Sequence, residues 1–138
     1  MNHRPLILAA LAGALGAITL TGCSSEPAPA AASADAAAYE RVDAARAKEI
    51  MGTEDGYVIL DVRTQAEYDE GHIPGAVLLP HDTIAEDAAC ALPDTDQLVL
   101  VYCRSGNRSK QAAQALADQG YTNVVEFGGI KDWPYEIE

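Results

Sequence analysis

The sequence predicts an α/β domain in which helices cover both faces of a parallel sheet. From residue 39 onward, short apolar runs alternate with segments of helical spacing, and this alternation is typical of a parallel sheet. The runs are four or five residues long and mostly apolar, as expected for strands that are buried on both sides. They lie at 57–60, 76–79, 98–102 and 124–127.

Helices are predicted in the intervals between these strands. The first candidate covers 43–51, ahead of the first apolar run. Thr64 and Glu67 form a capping box, the sequence signature of a helix start, and predict a helix that ends near Gly71. A third short helix is expected over 82–89.

The fourth helix has the clearest pattern. Alanine and leucine residues recur at helical spacing between 112 and 117, and Gly120 stands where a C-terminal cap glycine is common. We expect this helix to begin near Ser109. A final helical turn is predicted to follow the last strand and to reach Trp133.

The charge of the chain excludes some partners. The 138 residues include 21 Asp and Glu against 9 Lys and Arg, a formal net charge of −12. Such an acidic chain is a poor ligand for nucleic acid or for an anionic membrane surface. We therefore expect no nucleic-acid partner.

The first 22 residues predict a lipoprotein signal peptide. A basic start precedes an uncharged apolar stretch at 6–20, which is shorter than the about 20 residues of a membrane-spanning helix. The tetrapeptide LTGC at 20–23 resembles a bacterial lipoprotein signal, which implies export and a lipid on Cys23. A plain secretory signal or an uncleaved anchor is the alternative. We expect the protein at the cell envelope, facing the periplasm or on the outer surface of the cytoplasmic membrane. Residues 23–38, rich in Ala, Ser and Pro, predict a disordered tether to a domain at 39–138.

The segment CRSGNRS at 103–109 carries the predicted chemistry. It joins a strand to a helix, where ligands bind in open parallel sheets. Gly106 permits a tight turn that aims backbone N–H groups at one centre, and Arg104 and Arg108 add positive charge. These features favour the thiolate, so we expect a lowered pKa and a nucleophilic Cys103. The alternative is a buried cysteine that only fills space.

Three blocks together resemble a single-domain rhodanese, a sulfurtransferase: DVRTQAEYDEGHIPGAVLLP at 61–80, VYCRSGNRS at 101–109 and GGIKDW at 128–133. The resemblance implies a three-layer α/β/α fold with a mainly parallel central sheet. It also implies that Cys103 takes a sulfur atom from thiosulfate or a similar donor and holds it as a persulfide. A thiophilic acceptor such as cyanide or a thiol then removes the sulfur. No metal or organic cofactor is implied.

The resemblance also assigns roles around the cysteine. The persulfide-binding loop consists of Arg104, Ser105, Gly106, Asn107, Arg108 and Ser109. Its amides would stabilise negative charge, Arg108 would close the loop, and Arg104 would meet the anionic donor. The upstream block is expected to shape the fold, with Arg63 and Glu67 paired across a helix start. Asp61 is a candidate second contact of the loop.

Two other functions stay open. A phosphatase or arsenate reductase of the same fold would carry its arginine one residue later, where this sequence has Ser109. A non-catalytic or redox-sensing rhodanese-like module would bind a partner or pair Cys103 with Cys90 as resolving thiol. The apolar neighbours of Cys90 favour simple burial over that disulfide.

Overall fold

The computed structural model describes residues 38–138. The predicted signal peptide, Cys23 and residues 23–37 of the predicted tether lie outside the described residues. Within 38–138, no helix combines the length and the hydrophobicity that are needed to cross a bilayer.

Strands and helices alternate along this part of the chain. The strands are β1 (Glu40–Arg41), β2 (Val58–Asp61), β3 (Val77–Leu78), β4 (Val99–Cys103) and β5 (Val124–Gly129). The helices are α1 (Ala44–Thr53), α2 (Gln65–Glu70), α3 (Ile84–Ala91) and α4 (Asn107–Asp118), followed by a 3-10 turn at Ile130–Asp132.

The five strands form one sheet in the order β1-β5-β4-β2-β3, and every pair is parallel. The central strand β4 lies between β2 and β5, and all five of its residues are buried. Because parallel strands run in one direction, the carboxyl ends of β2, β4 and β5 meet at one edge of the sheet. The prediction of a mainly parallel sheet is confirmed.

Successive side chains of β4 point to opposite faces of the sheet, as the strand period of two requires. Val101 and Cys103 face a cluster that includes Ile84 of α3 and Leu116 of α4. The other face holds a second cluster, formed by α1 and the C-terminal segment and including Ala47, Ile50, Leu100, Tyr102 and Trp133. The predicted three-layer α/β/α arrangement is therefore confirmed, and Cys103 lies on the α3/α4 side.

Two differences from the prediction affect the site. Strand β1 was not predicted, because its two residues are polar and carry no apolar pattern. Helix α4 begins at Asn107 rather than near Ser109, because Gly106 adopts a left-handed conformation with φ 96° and ends the loop there. Arg108 and Ser109 therefore lie in the first turn of α4 and not in the loop.

Candidate active site

Cys103 is the last residue of β4, at the carboxyl edge of the sheet. Its side chain is buried, with 1% exposure. The backbone N–H of Gly106 donates to Sγ at 3.0 Å, and the Cys103 thiol donates to the Ser109 hydroxyl oxygen at 3.5 Å. The end of the central strand and the first turn of α4 thus hold the sulfur between them.

The loop that follows Cys103 is wedged against β5. A Cβ atom on Gly129 would overlap the carbonyl oxygen of Arg104 and lie 2.6 Å from the Cα atom of Ser105. The N–H of Lys131 donates to the same carbonyl oxygen at 3.3 Å. Glycine at 129 is therefore required for the close approach of the two backbones, and this approach fixes the course of the loop.

The surroundings of Cys103 shift its pKa. Burial raises the pKa, while hydrogen bonds that the Ser109 hydroxyl and the amides of Ser109, Ser105 and Gly106 can donate to the thiolate lower it. The hydrogen bonds outweigh burial, so the pKa of Cys103 lies below its ordinary value. The direction agrees with the sequence-based expectation, but its main cause is hydrogen bonding rather than the two arginines.

The guanidinium group of Arg108 is paired with the carboxylate of Glu67. Its two terminal nitrogens donate to the two oxygens of Glu67 at 2.7 Å each, a forked ion pair between α4 and α2. This pair, opposed by burial and supported by Thr64, holds the pKa of Glu67 well below its ordinary value. The predicted pairing of Arg63 with Glu67 is wrong, because Glu67 faces the first turn of α4 and binds Arg108 there.

Arg63 instead binds Asp61. Its Nη2 donates to Asp61 Oδ2 at 2.6 Å and to the carbonyl oxygen of Gly71 at 2.8 Å. The hydroxyl of Tyr102 also donates to Asp61 Oδ2, at 2.6 Å, and accepts from the N–H of Ile73 at 3.1 Å. Burial and this carboxylate raise the pKa of Tyr102. Asp61 thus braces the end of β2, and its hydrogen bonds go to these groups rather than to the Cys103 loop.

Sequence reasoning missed Glu126. This residue lies in β5 with no exposed surface. Its Oε1 accepts from the Ser109 hydroxyl at 2.6 Å and from the N–H of Gly128 at 2.9 Å, and its Oε2 accepts from Arg41 at 2.8 Å. A single acid inside the apolar run at 124–127 was the available signal, because an ionised residue in a buried strand needs partners.

The remaining predicted residues are exposed. Arg104, Ser105 and Asn107 present their side chains to solvent beside the loop. Cys90 is also exposed, on α3, so the expectation that it is buried is wrong. Both Cys90 and Cys103 are free thiols. Within residues 38–138, no group of three or more His, Cys, Asp or Glu side chains is placed to hold a metal ion.

Comparison with known proteins agrees with this geometry. A family model described as Rhodanese-like domain matches residues 43–135. The chain is 41% identical over 73 residues to thiosulfate sulfurtransferase PspE of Escherichia coli, covering 53% of this chain and 70% of the relative. It is 42% identical over 85 residues to a sulfurtransferase of Allochromatium vinosum, covering 61% and 77%.

A solved structure, titled a rhodanese with anions from E. coli, superposes with a TM-score of 0.56 at 36% identity. The match covers 59% of this chain and 96% of that one. The fold is assigned by the extent of this match, together with the parallel sheet and the cysteine at the end of the central strand. The chain belongs to the rhodanese-like domain family.

Proposed function

We propose that the protein is a sulfurtransferase that moves a sulfane sulfur from thiosulfate or a similar donor to a thiophilic acceptor through a persulfide on Cys103. The observation that carries this proposal is the position of Cys103 at the end of the central strand, where its sulfur accepts a hydrogen bond from the Gly106 N–H. Relatives named thiosulfate sulfurtransferase and sulfurtransferase support the activity at the level of the family.

In the first step, the Cys103 thiolate attacks the outer sulfur of thiosulfate. An S–S bond forms to Sγ, the bond between the two donor sulfurs breaks, and sulfite leaves with that electron pair. The negative charge of the resulting persulfide rests on its outer sulfur. Backbone N–H groups of the loop, fixed before the reaction, stabilise such a charge without rearrangement.

In the second step, cyanide or a thiolate attacks the outer sulfur and releases the Cys103 thiolate. Arg104, exposed beside the cysteine, meets the anionic donor as it approaches. Arg108 acts from the first turn of α4, where its ion pair with Glu67 ties α4 to α2. The chain's own residues supply the nucleophile and the stabilising donors in both steps.

Mass spectrometry of the protein after incubation with thiosulfate tests the proposal. We expect the mass of one added sulfur atom on a peptide that contains Cys103, and its removal by cyanide with release of thiocyanate. Cys90→Ser is the matched control, because it removes the exposed free thiol of α3 and should load as the wild type does. Cys103→Ser should not load. Full sulfur transfer by Cys103→Ser would refute the mechanism.

We also propose that a lipid on Cys23 anchors the protein to the cell envelope, facing the periplasm or on the outer surface of the cytoplasmic membrane. The LTGC motif at 20–23, behind an apolar stretch, supports this proposal. Two or more acyl chains would give firm attachment, because a single chain binds membranes only marginally. Detergent-phase partition tests it: the wild type should enter the detergent phase, and Cys23→Ala should not. Equal partition of both forms would contradict the anchor.

A further inference from the structure

The hydroxyl of Ser109 has one hydrogen to give and three possible acceptors within reach: Glu126, Cys103 and, at 3.3 Å, the carbonyl oxygen of Gly128. Its oxygen lies 2.6 Å from Oε1 of Glu126 and 3.5 Å from Sγ of Cys103. A charge-assisted O–H···O⁻ hydrogen bond of 2.6 Å is a strong one, so the Ser109 hydroxyl donates its hydrogen to the Glu126 carboxylate. The Ser109 oxygen then offers Cys103 a lone pair, which the thiol can use as a donor and the thiolate cannot use at all.

Glu126 is held in place for this contact. Its side chain is fully buried, and the N–H of Gly128 donates to the same Oε1 at 2.9 Å. Arg41 neutralises part of the charge through the other oxygen, but its side chain is 54% exposed and its charge is screened by water. The carboxylate therefore keeps a negative field on the Ser109 and Cys103 side.

We propose that Glu126 is a positioning residue that restrains the ionisation of Cys103, because its carboxylate competes with the thiolate for the single hydroxyl hydrogen of Ser109. When Cys103 ionises, Ser109 must turn its hydrogen from Glu126 to Sγ. Two negative groups then face one donor. Removing the negative charge of Glu126 should therefore favour the thiolate form of Cys103.

Two other charged side chains lie near the carboxyl end of β4. The positive charge of Arg108 acts on Cys103 from α4 and is paired with Glu67 of α2. The carboxylate of Asp61, at the end of β2, lies on the opposite face of the sheet, where it accepts from Tyr102 and is paired with buried Arg63. Each of these charges is balanced by a close partner: Arg108 by Glu67 in a forked pair, and Asp61 by Arg63 in a buried pair. The pair of Glu126 with exposed Arg41 is the least balanced of the three.

The restraint has a consequence for sulfur transfer, and this part of the inference rests on the proposed function. In the thiolate the charge sits on Sγ, beside Ser109. In the persulfide it sits on the outer sulfur, one S–S bond of about 2 Å away from Sγ. Glu126 therefore disfavours the free thiolate more than the persulfide, and it favours the loaded enzyme at a given ratio of thiosulfate to sulfite.

The pH dependence of iodoacetamide alkylation at Cys103, measured without any sulfur donor, tests the restraint. Glu126→Gln keeps the shape of the side chain and removes the charge. We expect its midpoint to fall by about one pH unit, a tenfold rise in the ionisation constant, which is the size expected for one nearby and partly compensated charge. Glu86→Gln, an exposed acid of α3, should leave the midpoint unchanged. A folded Glu126→Gln with an unchanged or higher midpoint would overturn the proposal.

Arg41→Gln covers the case in which Glu126→Gln does not fold, because Arg41 lies on the exposed edge strand β1. Loss of its cation strengthens the field of Glu126, so the midpoint should rise. An unmoved or lowered midpoint in Arg41→Gln would overturn the proposal as well. In a Ser109→Ala background the effect of Glu126→Gln should shrink, since no shared hydrogen remains. An undiminished effect in that background would overturn the proposed competition for the Ser109 hydrogen.

The alkylation assay separates this inference from the proposed function. A protein that shows the expected midpoints but takes no sulfur from thiosulfate would retain the restraint and lose the sulfurtransferase. A protein that takes sulfur from thiosulfate but shows no midpoint shift in Glu126→Gln would retain the sulfurtransferase and lose the restraint. A merely structural role for Glu126 predicts lower stability without a downward shift in the midpoint.

Discussion

Replacing Glu67 with glutamine should destabilise the protein, because it removes the carboxylate that ties α2 to α4. Two hydrogen bonds of 2.7 Å join Glu67 to Arg108, and the two side chains are only 19% and 26% exposed. Hydrogen bonds to charged groups contribute about 1.5–3 kcal/mol when they are this well formed. Glutamine can keep one contact to Thr64 and one to Arg108, so we expect a loss of about 2 kcal/mol at pH 7.

The size of this loss should depend on pH. The hydrogen bond from Arg108 lowers the pKa of Glu67 in the folded protein from its ordinary value of 4.5, although burial opposes the shift. A carboxylate with a depressed pKa stabilises the fold fully above its unfolded pKa and progressively less as the pH falls toward its folded pKa. The difference between wild type and Glu67→Gln should therefore be constant from pH 7 to about pH 5.5 and shrink below about pH 4.5.

Urea unfolding at a series of pH values measures both effects. A loss of about 2 kcal/mol corresponds to a fall in Tm of about 10 °C for a domain near 100 residues. Glu70→Gln is the matched control, because it changes an exposed acid at the end of the same helix. A loss below about 0.5 kcal/mol at pH 7 would place the pair among ordinary surface ion pairs and refute the reasoning. So would a difference that persists undiminished at pH 3.

Three further changes test the site. Arg108→Ala should raise the pKa of Cys103 and slow its alkylation at neutral pH several-fold, and an unchanged curve of rate against pH would contradict the contribution of that cation. Gly129→Ala should displace the carbonyl of Arg104, cost about 1–3 kcal/mol in urea unfolding and abolish loading by thiosulfate; loading at the wild-type rate would show that the loop tolerates the methyl group. Tyr102→Phe should cost about 1–3 kcal/mol in urea unfolding, because it leaves buried polar partners unsatisfied. Wild-type stability would argue against that buried network.

The order of strands and helices could be predicted because the sheet is buried on both faces. Each central strand needs a continuous apolar run, and each helix after it needs a cap or a spaced apolar stripe. Strand β1 escaped prediction because it is an edge strand of two residues, Glu40 and Arg41, and these polar residues carry no such run. The start of α4 was misplaced by two residues because the left-handed Gly106 can serve either as a loop residue or as a cap.

The position of Cys103 and the turn of backbone N–H groups around it could be predicted because they are local in sequence. The side-chain partners could not, because they join residues far apart: Arg108 with Glu67 and Ser109 with Glu126. Arg63 and Glu67 are close in sequence, but Asp61 is buried beside Arg63 and forms the ion pair with its guanidinium group.

The wrong expectation for Cys90 has a similar cause. The residues around it are apolar, but they lie on a helix, where exposure depends on the angle around the axis rather than on neighbours in sequence. Ala88 faces the core, and Cys90, two positions later, lies about 200° around the helix and faces solvent. Composition alone therefore could not locate this thiol.

The surroundings of position 109 favour sulfur over phosphate as the transferred group. A phosphatase with the longer loop would place an arginine there, whereas this protein has a buried serine that donates to the carboxylate of Glu126. The guanidinium of Arg108, one position earlier, is already paired with Glu67. A phosphoryl group needs compensating cations and several donors, and here the side chains of Arg108 and Ser109 are paired with carboxylates. A single sulfur atom needs only a few backbone N–H groups, which the turn at Gly106 supplies. The surroundings of Cys103 thus support the proposed persulfide over a phosphoryl intermediate.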